Sequence, residues 1–183
     1  RMVDPVAAMA EVAPDRERAS LHPLFAASNA PGNVAVVTDE SGPVTDRLLD
    51  ALDSAGNRLV ETTPEEHDSA METVQAGTHA AVLSFALAAE KVPDGLTTPI
   101  FEELAAVAEQ VTGNDPAVYG EIQATFDGAD RVADAAGLLA DADPAGDEDG
   151  DEFAQLYRAA SETVGEASET VGETSETPSE DDS

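Results

Sequence analysis

The sequence has no cysteine and no tryptophan, a single lysine (Lys91), and aromatic residues at only 4%. Without cysteine there is no disulfide framework and no thiolate nucleophile or metal ligand. With aromatics scarce, a core has to be built from Ala, Val and Leu, and apolar residues at 42% are enough for one. Bases are nearly missing. Eight Lys and Arg stand against 39 Asp and Glu, a formal charge of −31 over 183 residues. The acids occur in every segment, not in one block. That is the pattern of a halophilic surface, where high ionic strength screens the self-repulsion that would otherwise oppose folding. Such a surface repels phosphates and argues against a nucleic-acid partner. No apolar run reaches the roughly 20 residues that span a bilayer, so no membrane segment is expected. Residues 1–12 carry no apolar core of a signal peptide, so the chain reads as soluble and cytoplasmic. Its first residue is Arg, as expected of a piece of a longer protein.

The organising stretch is residues 63–91, TPEEHDSAMETVQAGTHAAVLSFALAAEK. Thr63, Pro64 and Glu66 form a helix-start signal: a capping hydroxyl, a proline suited to the first position, and an acid at the capping-box position. Gly77 is the lone helix breaker beyond that start, so the spacing predicts one helix of about 28 residues, roughly 42 Å long. Its first half carries a single stripe of Ala70, Met71 and Val74. In the second half, residues 80–89, only Ser84 is polar, so that half must be surrounded by protein. A second copy of the chain is one way to surround it.

The first 62 residues alternate between helix and strand. A helix is predicted over residues 1–13, a short strand at 19–21 leading to His22, a buried strand at 33–38, an amphipathic helix at 43–55 and a strand at 58–62. After the long helix come helices from Thr98 to Thr112 and from Pro116 to Phe126; Asp127 and Gly128 then interrupt, and a further helix runs to about Ala140. An acidic loop is expected at 141–152, then a helical turn or two at Phe153, Leu156 and Tyr157. Residues 161–183 hold a degenerate seven-residue repeat, SETVGEA, SETVGET, SETPSED, with no base, and are expected to be disordered. The fold class is therefore mainly α, a helical domain preceded by a small α/β remnant. The expected divisions are 1–62, 63–160 and 161–183.

Among candidate chemical groups, His22 stands out. It is placed beyond a strand end and before a proline, among small residues, where ligand sites of α/β proteins lie. A histidine there can take a proton near neutral pH. His67, one turn into the long helix beside Glu65, Glu66 and Asp68, reads as solvated or locally paired. His79 shares a face with Gln75 and reads as a buried histidine that needs a hydrogen-bond partner. No HExxH, cysteine pair, GxSxG, P-loop or GxGxxG is present, so neither a metal site nor a nucleotide site can be read from the chain.

Six segments occur in order: Leu21-His22-Pro23-Leu24-Phe25, the strand at Val34–Val37, Thr62-Thr63-Pro64-Glu65-Glu66-His67-Asp68, Val74-Gln75-Ala76-Gly77-Thr78-His79, Thr97-Thr98-Pro99-Ile100-Phe101, and Asn114-Asp115-Pro116-Ala117-Val118-Tyr119-Gly120-Glu121-Ile122-Gln123. Together they resemble prephenate dehydrogenase, especially its archaeal branch, over about residues 6–140. The resemblance implies the C-terminal portion of such an enzyme: the end of a nucleotide-binding domain, then a helical domain that dimerises through long helices. It implies NAD or NADP as cofactor and oxidative decarboxylation of prephenate to 4-hydroxyphenylpyruvate, a step of tyrosine synthesis. By resemblance His22 is the catalytic group, and His79, Gln75, His67 and Gln110 are substrate-binding. Two departures stand out: Ala26 where the family usually has Gly, and Gln110 where bacterial members carry an arginine that grips a carboxylate.

Two other readings compete. One is a non-catalytic helical dimerisation module or divergent truncated paralogue; the other is an acidic adaptor acting through its tail. With no nucleotide fingerprint present, this polypeptide alone is expected to show no tight NAD binding in a calorimetric titration, and a clear isotherm would contradict that expectation.

Overall fold

The computed structural model describes residues 1–93, 95–142 and 152–172, with the side chains of 167–172 excepted. Arg1–Asp130 form one compact unit and Arg131–Ser183 another. The architecture is mainly helical with a small mixed sheet, as the fold class anticipates.

In the first unit, α1 (Val3–Val12) precedes β1 (Arg18–Pro23), β2 (Asn33–Glu40), α2 (Pro43–Ser54) and β3 (Arg58–Glu61). Among the described residues these strands make one sheet in the order β1-β2-β3, antiparallel then parallel. The central strand is β2, buried on both faces, with Val34 and Val36 on one and Ala35 and Val37 on the other. On the second of these faces α1 supplies Met2, Val6 and Met9, which close a core with Ala35 and Val37. The turn from α2 into β3 needs a left-handed residue, and Gly56 takes it at φ +86°. The antiparallel ladder carries β1 two residues past its expected end, so His22 lies inside the strand, opposite Ala35, and not in a loop.

The long helix starts as its sequence dictates. Thr63 Oγ1 accepts from the Glu66 amide (3.2 Å) and Glu66 Oε2 accepts from the Thr63 amide (3.1 Å), closing the capping box. It is not one uninterrupted α-helix. After α3 (Pro64–Met71) the path widens into a π-type turn at Glu72–Gly77, then resumes as α4 (Thr78–Ala88). The Thr78 amide reaches back five residues to the Thr73 carbonyl, and the Thr78 hydroxyl donates to the same oxygen at 3.1 Å. Two outside contacts account for the widening. Gln123 Nε2 donates to the Ala76 carbonyl (2.8 Å), and Gly128 lies so close to the Ala76–Gly77 peptide that a Cβ would collide with it.

The remaining helices of the unit pack around α4. In α5 (Pro99–Thr112), Thr98 caps the Phe101 amide, and Phe101 meets Phe85 of α4 edge-on at 5.6 Å. In α6 (Pro116–Thr125), Asp115 caps the Ala117 amide. The apolar half of α4 is covered on one side only. Ala80 is buried, Val82, Leu83, Phe85 and Ala86 are half-buried, and Leu87 is 88% exposed. Ile100, Leu104 and Val107 of α5 are exposed as well. Among the described residues no helix is long and apolar enough to cross a membrane.

The last helices are α7 (Gly128–Asp141), which straddles the boundary between the units, and α8 (Glu152–Gly172). Helix α8 is much longer than the expected turn or two and runs past Ser161, where disorder was expected. Glu and Ala recur through residues 152–172 and no proline interrupts them, a composition that favours helix. Most of the expected acidic loop (143–151) and the end of the tail (173–183) lie outside the described residues.

The close approach at Gly128 is testable. Gly128→Ala should cost about 1–3 kcal/mol in a urea titration, because the methyl must push the Ala76–Gly77 peptide aside. Gly120→Ala, inside α6 with nothing within 4 Å of its position, should be neutral or stabilise by up to about 1 kcal/mol.

Candidate active site

The residues singled out in the sequence meet in two adjoining places. The first is a chain of contacts across the junction of sheet and helix. His22, near the end of β1, faces His67, one turn into α3, with Nδ1 and Nε2 2.9 Å apart and the rings edge-on at 5.1 Å. His67 is 4% exposed and so is buried, not solvated. Its Nδ1 lies 2.9 Å from Asp68 Oδ1. Asp68 in turn accepts the Met2 amide at Oδ1 (2.6 Å) and the Val3 amide at Oδ2 (3.3 Å), at the start of α1.

The second place is a cavity of about 600 Å³ lined by Pro23, Gln75, His79, Gln110, Asn114 and Tyr119, with Leu24, Phe25, Ala26, Asn29, Asp115, Val118 and Ile122 completing its wall. Gln75 and His79 of the long helix and Gln110 of α5 share this one space, while His22 adjoins it through Pro23. The π-type turn contributes directly, since Gln75 lies within it and His79 comes one residue after Thr78. The His79 ring stands edge-on to Tyr119 at 4.7 Å, and its Nδ1 is buried with no partner among the described residues. A buried ring nitrogen without a protein partner, at the wall of a cavity, is placed to bond a ligand's polar group. Asn114 Nδ2 donates to Tyr119 Oη (3.1 Å) and to the Gln110 carbonyl (2.7 Å), fixing that wall.

Electrostatically the site favours neutral rings and one fixed carboxylate. Burial pushes the His22 imidazole below its ordinary value, and proximity to His67 adds to this. Burial likewise lowers His79. Asp68 is pulled both ways: burial raises its carboxyl, but hydrogen bonds from His67, Met2 and Val3 outweigh it and hold it below the usual carboxylate range. Among the described residues lining the cavity there is no Lys or Arg, and the acid present is Asp115. Asn114, Tyr119 and Asp68 lie in quoted segments, but nothing in their spacing assigned them a place at the site; only the packing does.

The described residues do not fit a dinucleotide. Such cofactors rest their pyrophosphate on the N-terminus of a helix that follows a strand. Here β2 leads to α2, whose Val44 and Thr45 amides are already taken by the Glu17 carboxylate at 2.7 and 2.8 Å. Helix α3, after β3, is closed by the Glu66 box. Both positions carry an acid that would repel phosphate.

No family model matches the chain. It is 34% identical over 171 residues to the 4-amino-4-deoxyprephenate dehydrogenase of Streptomyces pristinaespiralis, covering 85% of this chain and 56% of that protein. The chain thus spans little more than half the length of the curated relative it matches. The likeness supports placing it with the prephenate-type dehydrogenases.

The buried rings set a pH dependence. Both His22 and His79 are lowered from 6.5 in the fold, so on acidification the unfolded chain takes up these protons first. Their contribution to stability is complete above about pH 6.5 and declines as pH falls toward the folded values. The thermal midpoint at fixed high salt should therefore drop between about pH 7 and about pH 5. His79→Phe, which keeps a ring against Tyr119, should make that drop shallower.

Proposed function

We propose that the chain is the helical, substrate-binding portion of a prephenate-type dehydrogenase that oxidatively decarboxylates a cyclohexadiene dicarboxylate. The observation that carries this reading is the convergence of Gln75, His79 and Gln110 on one cavity beside the buried His22–His67 contact. In this reading His22 takes the proton from the ring hydroxyl as the carbon bearing it gives up hydride, and loss of carbon dioxide then aromatises the ring. His79 offers its unpaired nitrogen to the substrate, and Gln75 and Gln110 offer neutral hydrogen bonds. His67 contributes behind His22. The reaction class needs NAD or NADP as hydride acceptor, whose site the described residues do not form, so the steps assigned here are proton transfer and positioning.

The half-covered face of α4 and α5, with Leu87, Ile100, Leu104 and Val107 exposed, supports a homodimer in which a second copy covers it. The pervasive acidity supports a cytoplasmic enzyme working in concentrated salt.

One observation favours a particular variant of the substrate. A dianionic ligand gains no basic partner from the described lining, whereas Asp115 at the wall suits an ammonium group. The Streptomyces relative is named for a substrate in which an amino group stands in place of the ring hydroxyl, and in that case His22 would face the amine. An amino-bearing analogue of prephenate is therefore the second reading.

The test is a chimera in which this chain follows the nucleotide-binding half of a prephenate-type dehydrogenase, assayed in molar salt for substrate-dependent NADH or NADPH production. Turnover of prephenate or of its amino analogue is expected, and His22→Ala should lower it by about 10²–10⁴-fold. A folded, dimeric chimera that turns over neither substrate would support the non-catalytic module.

A further inference from the structure

We propose that His22, His67 and Asp68 form a proton relay, in which the proton His22 takes from the substrate is exchanged for one passed on to His67, so that the positive charge comes to rest beside the Asp68 carboxylate. This rests on the reading of His22 as the group that meets the substrate hydroxyl.

The direction is set by which atoms can hold a proton. An ionised carboxylate only accepts hydrogen bonds, and Asp68 is already accepting the Met2 and Val3 amides. His67 Nδ1, 2.9 Å from Asp68 Oδ1, must therefore be the N–H of that pair. With both rings neutral, His67 Nε2 is then a bare lone pair. It lies 2.9 Å from His22 Nδ1, so the single proton between the two nitrogens belongs to His22. That leaves His22 Nε2 without a proton, which is the form a base requires. If Asp68 did not fix His67, the opposite tautomer could place N–H at His67 Nε2, turn His22 Nδ1 into the acceptor and leave His22 Nε2 already protonated.

The same geometry disposes of the proton. When the substrate O–H bond breaks, an N–H bond forms at His22 Nε2. The N–H bond at His22 Nδ1 then breaks, and one forms at His67 Nε2. His22 ends neutral with its proton on Nε2, and His67 ends as an imidazolium with both N–H groups engaged. His22 is half-buried and has no carboxylate among its hydrogen-bond partners in the described residues, whereas His67 has one in contact. The charge is thus better placed on His67. His67 and Asp68 touch no substrate in this scheme and are positioning residues.

The chain has three histidines, so ¹⁵N spectroscopy of the polypeptide itself can read the relay without any assay. Near neutral pH in molar salt, His22 and His67 should both show the Nδ1–H tautomer. A scalar coupling should cross the hydrogen bond between His22 Nδ1 and His67 Nε2. An Nε2–H tautomer at His22, or no such coupling, overturns the relay. In the chimera, Asp68→Asn keeps an oxygen for the Met2 amide and the His67 N–H, gives up the longer bond from the Val3 amide and removes the charge, and kcat should fall at least about tenfold with KM within about twofold. A kcat within about twofold of wild type overturns the relay. Turnover without the coupling defeats the relay alone. Absence of any turnover with the coupling intact defeats the functional reading, and with it the relay's role.

Discussion

The Asp68 carboxylate ties the first unit together. It closes the amino end of α1 through the Met2 and Val3 amides, and so holds Met2 and Val6 over the Ala35–Val37 face of the sheet. From the same carboxylate the contacts run through His67 to His22 on β1. One side chain therefore sets both the seat of a core helix and the orientation of the ring most suited to chemistry. Such sharing couples the two, since losing the side chain would free two backbone donors and release the His67 ring together.

A second constraint comes from the crowding at Ala76 and Gly77. Gly128 and Gln123 press on this peptide from outside, and the long helix answers with a wider turn rather than a kink. The extra residue shifts every later position around the helix axis. Gln75 and His79, which a regular helix of this sequence already places on one face, reach the cavity through this altered turn and meet Gln110, Asn114 and Tyr119 from the next two helices. Wider turns of this kind recur at functional sites because they redirect side chains without breaking the helix.

The charge distribution works at a different range. Acids cover the chain and carboxylates close both helix starts that follow strands, yet the cavity wall is mostly uncharged, with polar and apolar residues in similar share. In concentrated salt the surface field is short-ranged, on the order of 3 Å at molar strength, so it does little to repel an anion from an interior site. Among the polar groups at the cavity wall, His79 Nδ1 is the buried one without a partner in the described protein.

Much of the fold was legible locally. Thr63, Pro64 and Glu66 started the long helix, Thr98 and Asp115 capped theirs, and the run Val34–Val37 made the central strand, because caps, prolines and short apolar runs act within a few residues. The resemblance carried by six ordered segments brought His22, Gln75, His79 and Gln110 forward as candidates. What the sequence left open depends on residues distant in the chain. The bond between His22 and His67 spans 45 positions, and the one between Asp68 and Met2 spans 66. The π-type turn has no signature within residues 72–77 beyond Gly77, since its cause sits at Gln123 and Gly128. Helix α8 exceeded its expected length because a proline-free run of Glu and Ala favours helix where the repeat pattern suggested none. Sequence alone therefore determined where elements begin, and which residue types are available for proton chemistry. Only the tertiary structure decided which of them touch, because hydrogen-bond geometry and steric contact act between neighbours in space.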